Sequence, residues 1–335
     1  MDLQKPDISI ILPVYNVEKQ LVKCLESISN QKFSGTFEII AVEAFSTDSS
    51  LALLKSFQIN EPRLKIIEHG VREKISTSRT TGINASAGEY ILHVDSDDWL
   101  LPGALEKLYK ICKETDADVV VFDYMTEDIN GKISSVKHIK EKLITTDKLK
   151  VQHHFFGAGW YKIVKRAINM NLVYGEMGVN TSEDLLYSIE ILLKAEKIYL
   201  LPECFYVYYS NTYSLSYITK SEQYLKDQIV ILGQLQKIVL KYKANPQFTE
   251  NLLNYFEKWI YLGIARFHFL QKEKLVESRK LVRELSQFPI LTKLRIRRLE
   301  LSAKCGLICL LEVAIRFGPI MSVGIIRRSF SKTGI

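Results

Sequence analysis

The stretch "GEYILHVDSDDW", residues 88–99, decides how this chain is read. Its first half is a short apolar run without polar alternation, which suits a strand buried on both faces. Its second half sets Asp95, Asp97 and Asp98 directly behind that strand. Three carboxylates in four residues repel one another and lower stability unless a cation or a helix N-terminus offsets them. Helix capping ahead of "LLPGALEKLY" accounts for Asp98 alone. A hard divalent cation that bridges phosphates accounts for the whole cluster better.

Working outward, "ISIILPV" (8–14), "EIIAV" (38–42) and "RLKIIE" (63–68) are runs of the same kind. Between the first two, Val17, Leu21, Leu25 and Ile28 recur at helical spacing, and "SSLALLKSF" (49–57) predicts a second helix behind Asp48. Strands alternating with helices predict a parallel sheet whose ligands bind beyond the strands' carboxyl ends. Those ends are Pro13–Asn16, Glu43–Asp48, His69–Arg79 and Asp95–Trp99. Farther on, the pattern predicts a helix over 102–115 and a strand at "ADVVVFDYM" (117–125). A helix is then expected from about Ser182, and strand, turn and strand across "KIYLLPECFYVYYS" (197–210). From Ser221 onward the periodicity is helical, and the composition shift near residue 220 marks the candidate boundary.

Composition narrows the class. At 335 residues with 47% hydrophobic side chains, the chain has enough apolar surface for more than one structural unit. Its five scattered cysteines contain no C-x-x-C, which argues against a disulfide framework or zinc site and for a reducing compartment. The start, with Asp2 and an apolar run broken at Pro13, does not read as a signal peptide.

The motifs "ISIILPVYNVEKQLVKCLESISNQ", "STSRTTGINASAGEY" and "HVDSDDW", in this order, resemble glycosyltransferase family 2, the inverting enzymes of the GT-A fold. The similarity runs from about residue 7 to 216 and weakens after 110. It implies an α/β protein with a GT-A-type nucleotide-binding mixed sheet flanked by helices, and an α-helical C-terminal region. Residues 1–218 would be catalytic, with 1–100 as the donor half and 101–218 as the acceptor side. Residues 219–335 would form the helical remainder.

Carried over by resemblance, Asp95 faces the nucleoside and Asp97 holds Mg²⁺ or Mn²⁺ against the diphosphate. Asp98 either supports that ion from behind or caps the next helix. Pro13 and Tyr15 resemble the loop that lines the base, and Arg79 an arginine on the donor side. Gly82 and Gly88 resemble helix-end and turn positions. In "TSEDLLY" the general base falls on Asp184, with Glu183 as the alternative base or its orienting partner; the same residues are also what a helix N-terminus prefers. Trp160, in "GWYKIVKRAI", resembles an acceptor-side aromatic that stacks on sugar, though a core tryptophan reads equally well.

Two departures stand out. Where the family shows V-D-D-G-S-T-D, this chain has Val42-Glu43-Ala44-Phe45-Ser46-Thr47-Asp48. Ala44 cannot accept a hydrogen bond from the nucleobase, and Glu43, one position earlier, is the candidate to replace it. Tyr209 stands where an arginine is common.

The charge is concentrated at the end of the chain. Residues 290–335 carry nine lysines and arginines against two glutamates, an excess equal to the +7 of the whole chain. Charge gathered in a tail, not spread over a folded face, does not suit a nucleic-acid binder. "CGLICLLEVAIRFGPIMSVGII" (305–326) is interrupted by Glu312, Arg316 and Pro319, which disfavours a membrane span. An amphipathic helix lying on an anionic cytoplasmic leaflet fits it better. The expectation is therefore a metal-dependent inverting glycosyltransferase, peripheral on the inner face of the cytoplasmic membrane. Its donor is a nucleotide-sugar, most simply a UDP-sugar, and its acceptor a hydroxyl of a glycan or lipid-linked sugar. Self-association stays open. The rival reading is an inactive GT-A-like scaffold of a glycan-assembly complex. A nucleotidyltransferase would carry a Gly-rich, Lys-containing first loop, which "PVYNVEKQ" is not.

Overall fold

The computed structural model describes residues 5–140, 142–145, 157–172, 183–210 and 222–244. The chain divides into two compact units, residues 1–214 with 237–244, and 215–236 with 245–335. The basic tail and the "TS" of "TSEDLLY" lie outside the described residues.

The first four strands are β1 (Ile8–Val14), β2 (Phe37–Glu43), β3 (Leu64–Glu68) and β4 (Tyr90–His93). Between them run α1 (Leu21–Ser29), α2 (Ser50–Gln58) and α3 (Ile75–Ala85). All pairings here are parallel, in the order β3-β2-β1-β4. Strands β1, β2 and β4 are buried along their whole length, as their unbroken apolar runs require. The chain leaves β1 towards β2 on one side and later returns as β4 on the other. A crevice therefore opens between the carboxyl ends of β1 and β4, where open α/β sheets take their ligands.

Pro13 sharpens that crevice. Val94 N–H donates to the Ile11 carbonyl at 3.0 Å, and the β1–β4 ladder stops there. Pro13 has no N–H with which to carry it on, so the strand ends part.

The remaining elements are β5 (Trp99–Leu100), α4 (Ala104–Thr115), β6 (Val119–Asp128), β7 (Ile133–Val136), β8 (Leu143–Thr145), β9 (Lys162–Lys165), α5 (Arg166–Asn169), α6 (Glu183–Lys194), β10 (Ile198–Ser210) and α7 (Glu222–Lys241). The full sheet order is β3-β2-β1-β4-β9-β6-β10-β5, with β7 on β6 and β8 on β10. Strand β9 runs antiparallel to both β4 and β6, so the sheet is mixed. This is the mixed sheet that the resemblance implied; the parallel pairing expected from strand–helix alternation holds for β1 to β4.

Two local expectations change. Residues 198–210 form one strand, not two around a turn. Pro202 lacks a ladder N–H, and the register shifts between Leu201 and Cys204 absorb it as a bulge. Gly82 lies inside α3, not at its end. A β-carbon there would sit 2.4 Å from Ile11 Cγ2, so glycine lets the helix rest directly on β1.

Candidate active site

Of the residues singled out in sequence, Asp95, Glu183 and Asp184 gather on the Arg79 guanidinium. The Arg79 side chain projects from α3 and is 1% exposed. Nη2 donates to Asp95 Oδ1 at 2.7 Å, and Nη1 donates to Glu183 Oε1 at 2.9 Å and also to Asp184 Oδ1. One guanidinium thus joins the acid after β4 to the acidic pair that opens α6, 105 residues further along the chain than Arg79. The sequence reading had Arg79 on the donor side only.

Arg79 cannot fully offset both members of the buried acidic pair, and both Glu183 and Asp184 are raised. Burial and the neighbouring Asp184 push Glu183 up to about 8, against the pull of Arg79. Burial also raises Asp184, while Arg79, Lys162 and the Gly159 N–H facing its carboxylate draw it down. Glu183, with its side chain 7% exposed, is the deeper member of the pair and holds a proton; Asp184, at 24%, is the more accessible one.

The acidic turn has a division of labour that spacing could not reveal. Asp98 is fully buried. Its Oδ2 accepts from the Tyr206 hydroxyl at 2.6 Å and its Oδ1 from the Tyr209 N–H at 2.7 Å. The Tyr206 oxygen also accepts from the Asp95 N–H at 3.0 Å. Asp98 therefore caps no helix; α4 begins after Gly103, five residues on. Burial and the charges of Asp97 and Asp95 hold Asp98 well above the usual carboxylate range.

Asp97 sits half-buried at the turn, pushed up to about 6 by burial and by Asp95. No group of three His, Cys, Asp or Glu able to hold a metal occurs among the described residues. The acids are thus not a metal cage of three. With Asp95 on Arg79 and Asp98 on Tyr206, Asp97 is the carboxylate left to meet a cation. That donor set fits an ion bound through one or two carboxylates and completed by substrate phosphates.

The lip after β2 also differs from expectation. Glu43 is 2% exposed. Its Oε1 accepts from Ser46 N–H at 2.6 Å and its Oε2 from Phe45 N–H at 3.2 Å. Instead of reaching a nucleobase, Glu43 holds the loop's own backbone. Phe45 takes φ +67°, a conformation at which glycine is at ease, and the residue is 53% exposed. The loop keeps a glycine's backbone shape without the glycine. Across from it, Asn16 at φ +51° ties the two lips together: its Oδ1 accepts from Thr47 N–H at 2.8 Å, and its N–H donates to Ser46 Oγ at 3.1 Å. Tyr15, half-buried, carries the Arg72 guanidinium 4.8 Å from its ring centre.

Trp160 belongs to the interior. It is 6% exposed, stacks on Tyr206 at 4.4 Å and Tyr208 at 5.7 Å, and meets Tyr124 edge-on at 4.7 Å. No broad ring face is left for a sugar, and the core reading of this residue holds. Its stacking fixes Tyr206, and through it the acidic turn.

Sequence reasoning passed over three residues here. Besides Tyr206, His93 lies buried 5.0 Å edge-on to Tyr187, and burial and the Arg79 charge hold it well below the usual imidazole range. Lys162, fully buried at the start of β9, faces Asp184. A lysine inside an apolar strand was the signal available for it.

A family model described as "Glycosyl transferase family 2" matches residues 9–182. The glycosyltransferase GlyA of Streptococcus pneumoniae is 32% identical over 225 residues, covering 62% of this chain and 31% of its own length. A poly(ribitol-phosphate) beta-glucosyltransferase of Bacillus spizizenii is 32% identical over 204 residues, covering 60% of this chain and 32% of its own length. The chain thus spans about a third of these relatives. The crystal structure of Staphylococcus aureus TarS 1–349 in complex with UDP-GlcNAc superposes with a TM-score of 0.63 at 20% identity, over 84% of this chain and 80% of that one.

Proposed function

Since this chain belongs to glycosyl transferase family 2, we propose that it transfers a sugar, with inversion, from a nucleotide-sugar to an acceptor hydroxyl. The observation that carries this reading is the bridge made by Arg79 between Asp95 and Asp184. It sets the acid assigned to the nucleoside and the acid assigned to the acceptor in one crevice, as in-line transfer requires.

In this reading Asp95 and Tyr15 hold the nucleoside at the mouth of β1 and β4. Asp97 holds Mg²⁺ or Mn²⁺, which when bound offsets the charge of the departing diphosphate. The acceptor oxygen attacks the anomeric carbon as the bond from that carbon to the phosphate oxygen breaks. Asp184 takes the hydroxyl proton, and Glu183, already protonated, cannot compete for it. UDP is the expected leaving group, supported by the TarS complex with UDP-GlcNAc. Relatives that act on poly(ribitol phosphate) support a surface polymer as acceptor. We extend the reading to the cytoplasmic membrane face, where residues 290–335 would bind anionic lipid; it is supported by their charge. Among the described residues no helix is long and apolar enough to cross a membrane.

The test is a screen of nucleoside diphosphates for calorimetric binding with and without Mn²⁺, followed by donor consumption. Asp97→Ala should remove the metal-dependent part of binding. Asp184→Asn should keep binding and lose about 10²-fold or more of transfer. Full transfer by the Asp184→Asn protein sinks the assignment of the base. Failure of every nucleotide to bind would leave the scaffold reading standing.

A further inference from the structure

Lys162 is 0% exposed and among the largest fully buried side chains of the protein. Among the described residues no carboxylate oxygen lies within ion-pair distance of it. Its Nζ donates to the Ala158 carbonyl at 2.7 Å and approaches the Gly157 carbonyl at 3.4 Å, and it stands 3.6 Å from the Tyr161 ring centre. The Ser188 hydroxyl, from α6, donates to the same Gly157 carbonyl. Two consecutive peptide carbonyls are thus clamped just ahead of the turn Gly159–Tyr161. Gly159, which follows them, packs against the Asp184 carboxylate: a β-carbon there would lie 3.6 Å from Asp184 Oδ1. Burying an ammonium against neutral groups is costly, and an apolar residue of like volume would serve packing as well or better.

Resting on the assignment of Asp184 as general base, we propose that Lys162 is its positioning residue: its Nζ anchors the 157–158 carbonyls, which sets Gly159 against Asp184 and fixes where that carboxylate sits. Five groups face Asp184. They are Arg79 from α3, Asp95 after β4, Glu183 and Tyr187 on its own helix, and Lys162 from β9. Lys162 in turn is faced by Asp184 and Tyr161. Arg79 is divided among three carboxylates, so Lys162 is the cation not shared with Asp95. Burial pushes the lysine well below its ordinary value and Asp184 draws it back up, while the lysine lowers Asp184. Removing the charge must therefore raise the base, and the acid limb of the pH–rate profile moves to higher pH.

The experiment uses the full chain, with UDP release from UDP-glucose and UDP-N-acetylglucosamine followed from pH 5 to 9. Lys162→Met should move the acid limb up by about one unit and lower the rate at pH 6 about tenfold, with UDP affinity within about twofold of wild type. Lys162→Gln keeps a donor without the charge; it should recover part of the rate at pH 8 but keep the displaced limb. In parallel, unfolding of Lys162→Met, Asp184→Asn and the double variant should be non-additive, a readout that needs no substrate. An unmoved limb, an additive cycle, or loss of UDP binding in both lysine variants overturns the proposal; in the last case Lys162 merely holds the fold. Transfer surviving in Asp184→Asn is a separate failure, that of the base assignment.

Discussion

Arg79 Nη2 lies 2.7 Å from Asp95 Oδ1, and this contact joins two motifs 16 residues apart at the bottom of the crevice. The same guanidinium reaches Glu183 and Asp184, so its removal strands three acids at once. Arg79→Met should lower stability by about 3–5 kcal/mol, the usual result of leaving buried charges without their partner. Arg79→Lys should fall in between, since an ammonium cannot make the planar fork. Chemical denaturation measures both.

Tyr206 makes the next prediction. Its hydroxyl is the common partner of Asp98 Oδ2 and the Asp95 N–H. Tyr206→Phe keeps the stacking on Trp160 but leaves two buried polar groups unpaired, which should lower stability by about 1–3 kcal/mol. Nucleoside diphosphate binding with Mn²⁺ should weaken with it, because the acidic turn loses its tether. Wild-type affinity in Tyr206→Phe would show that the turn holds its shape alone.

Glu183 predicts a pH dependence of stability. It is raised to about 8 in the folded protein from about 4.5 in the open chain. The folded state therefore binds the extra proton between those values, and stability falls as pH rises through the neutral range. Glu183→Gln cannot lose that proton. Between pH 5 and 9 its melting temperature should drop less than that of wild type, by at least about 2 °C.

Phe45 tests the altered lip. At φ +67° a phenylalanine carries strain of about 1 kcal/mol that glycine would relieve. Phe45→Gly should thus be more stable by about that amount. If the ring carries the nucleobase by stacking, UDP should bind about fivefold or more weakly. Calorimetry on the pair separates the two effects, and a tighter complex with UDP would refute the stacking role.

Much of this protein was legible in its residues. Apolar runs too short for helices and too continuous for half-exposed strands gave the central strands. The acids behind "YILHV", the arginine in "STSRTTG" and the pair in "SED" marked the crevice, because strand ends are where an α/β sheet leaves side chains open to a ligand. Tertiary structure decided which acid does what. Asp95, Asp97 and Asp98 look alike in a string; the Tyr206 hydroxyl and the Arg79 guanidinium make Asp98 a strut and Asp95 an ion-pair partner, and leave Asp97 half-buried at the turn. It also decided that Glu43 serves its own loop and that Trp160 stacks inside. Both outcomes depend on partners far along the chain or on backbone amides whose direction a sequence does not show. Local pattern reports what a residue can do, and only the contacts brought together by the sheet determine which of those things it is left to do.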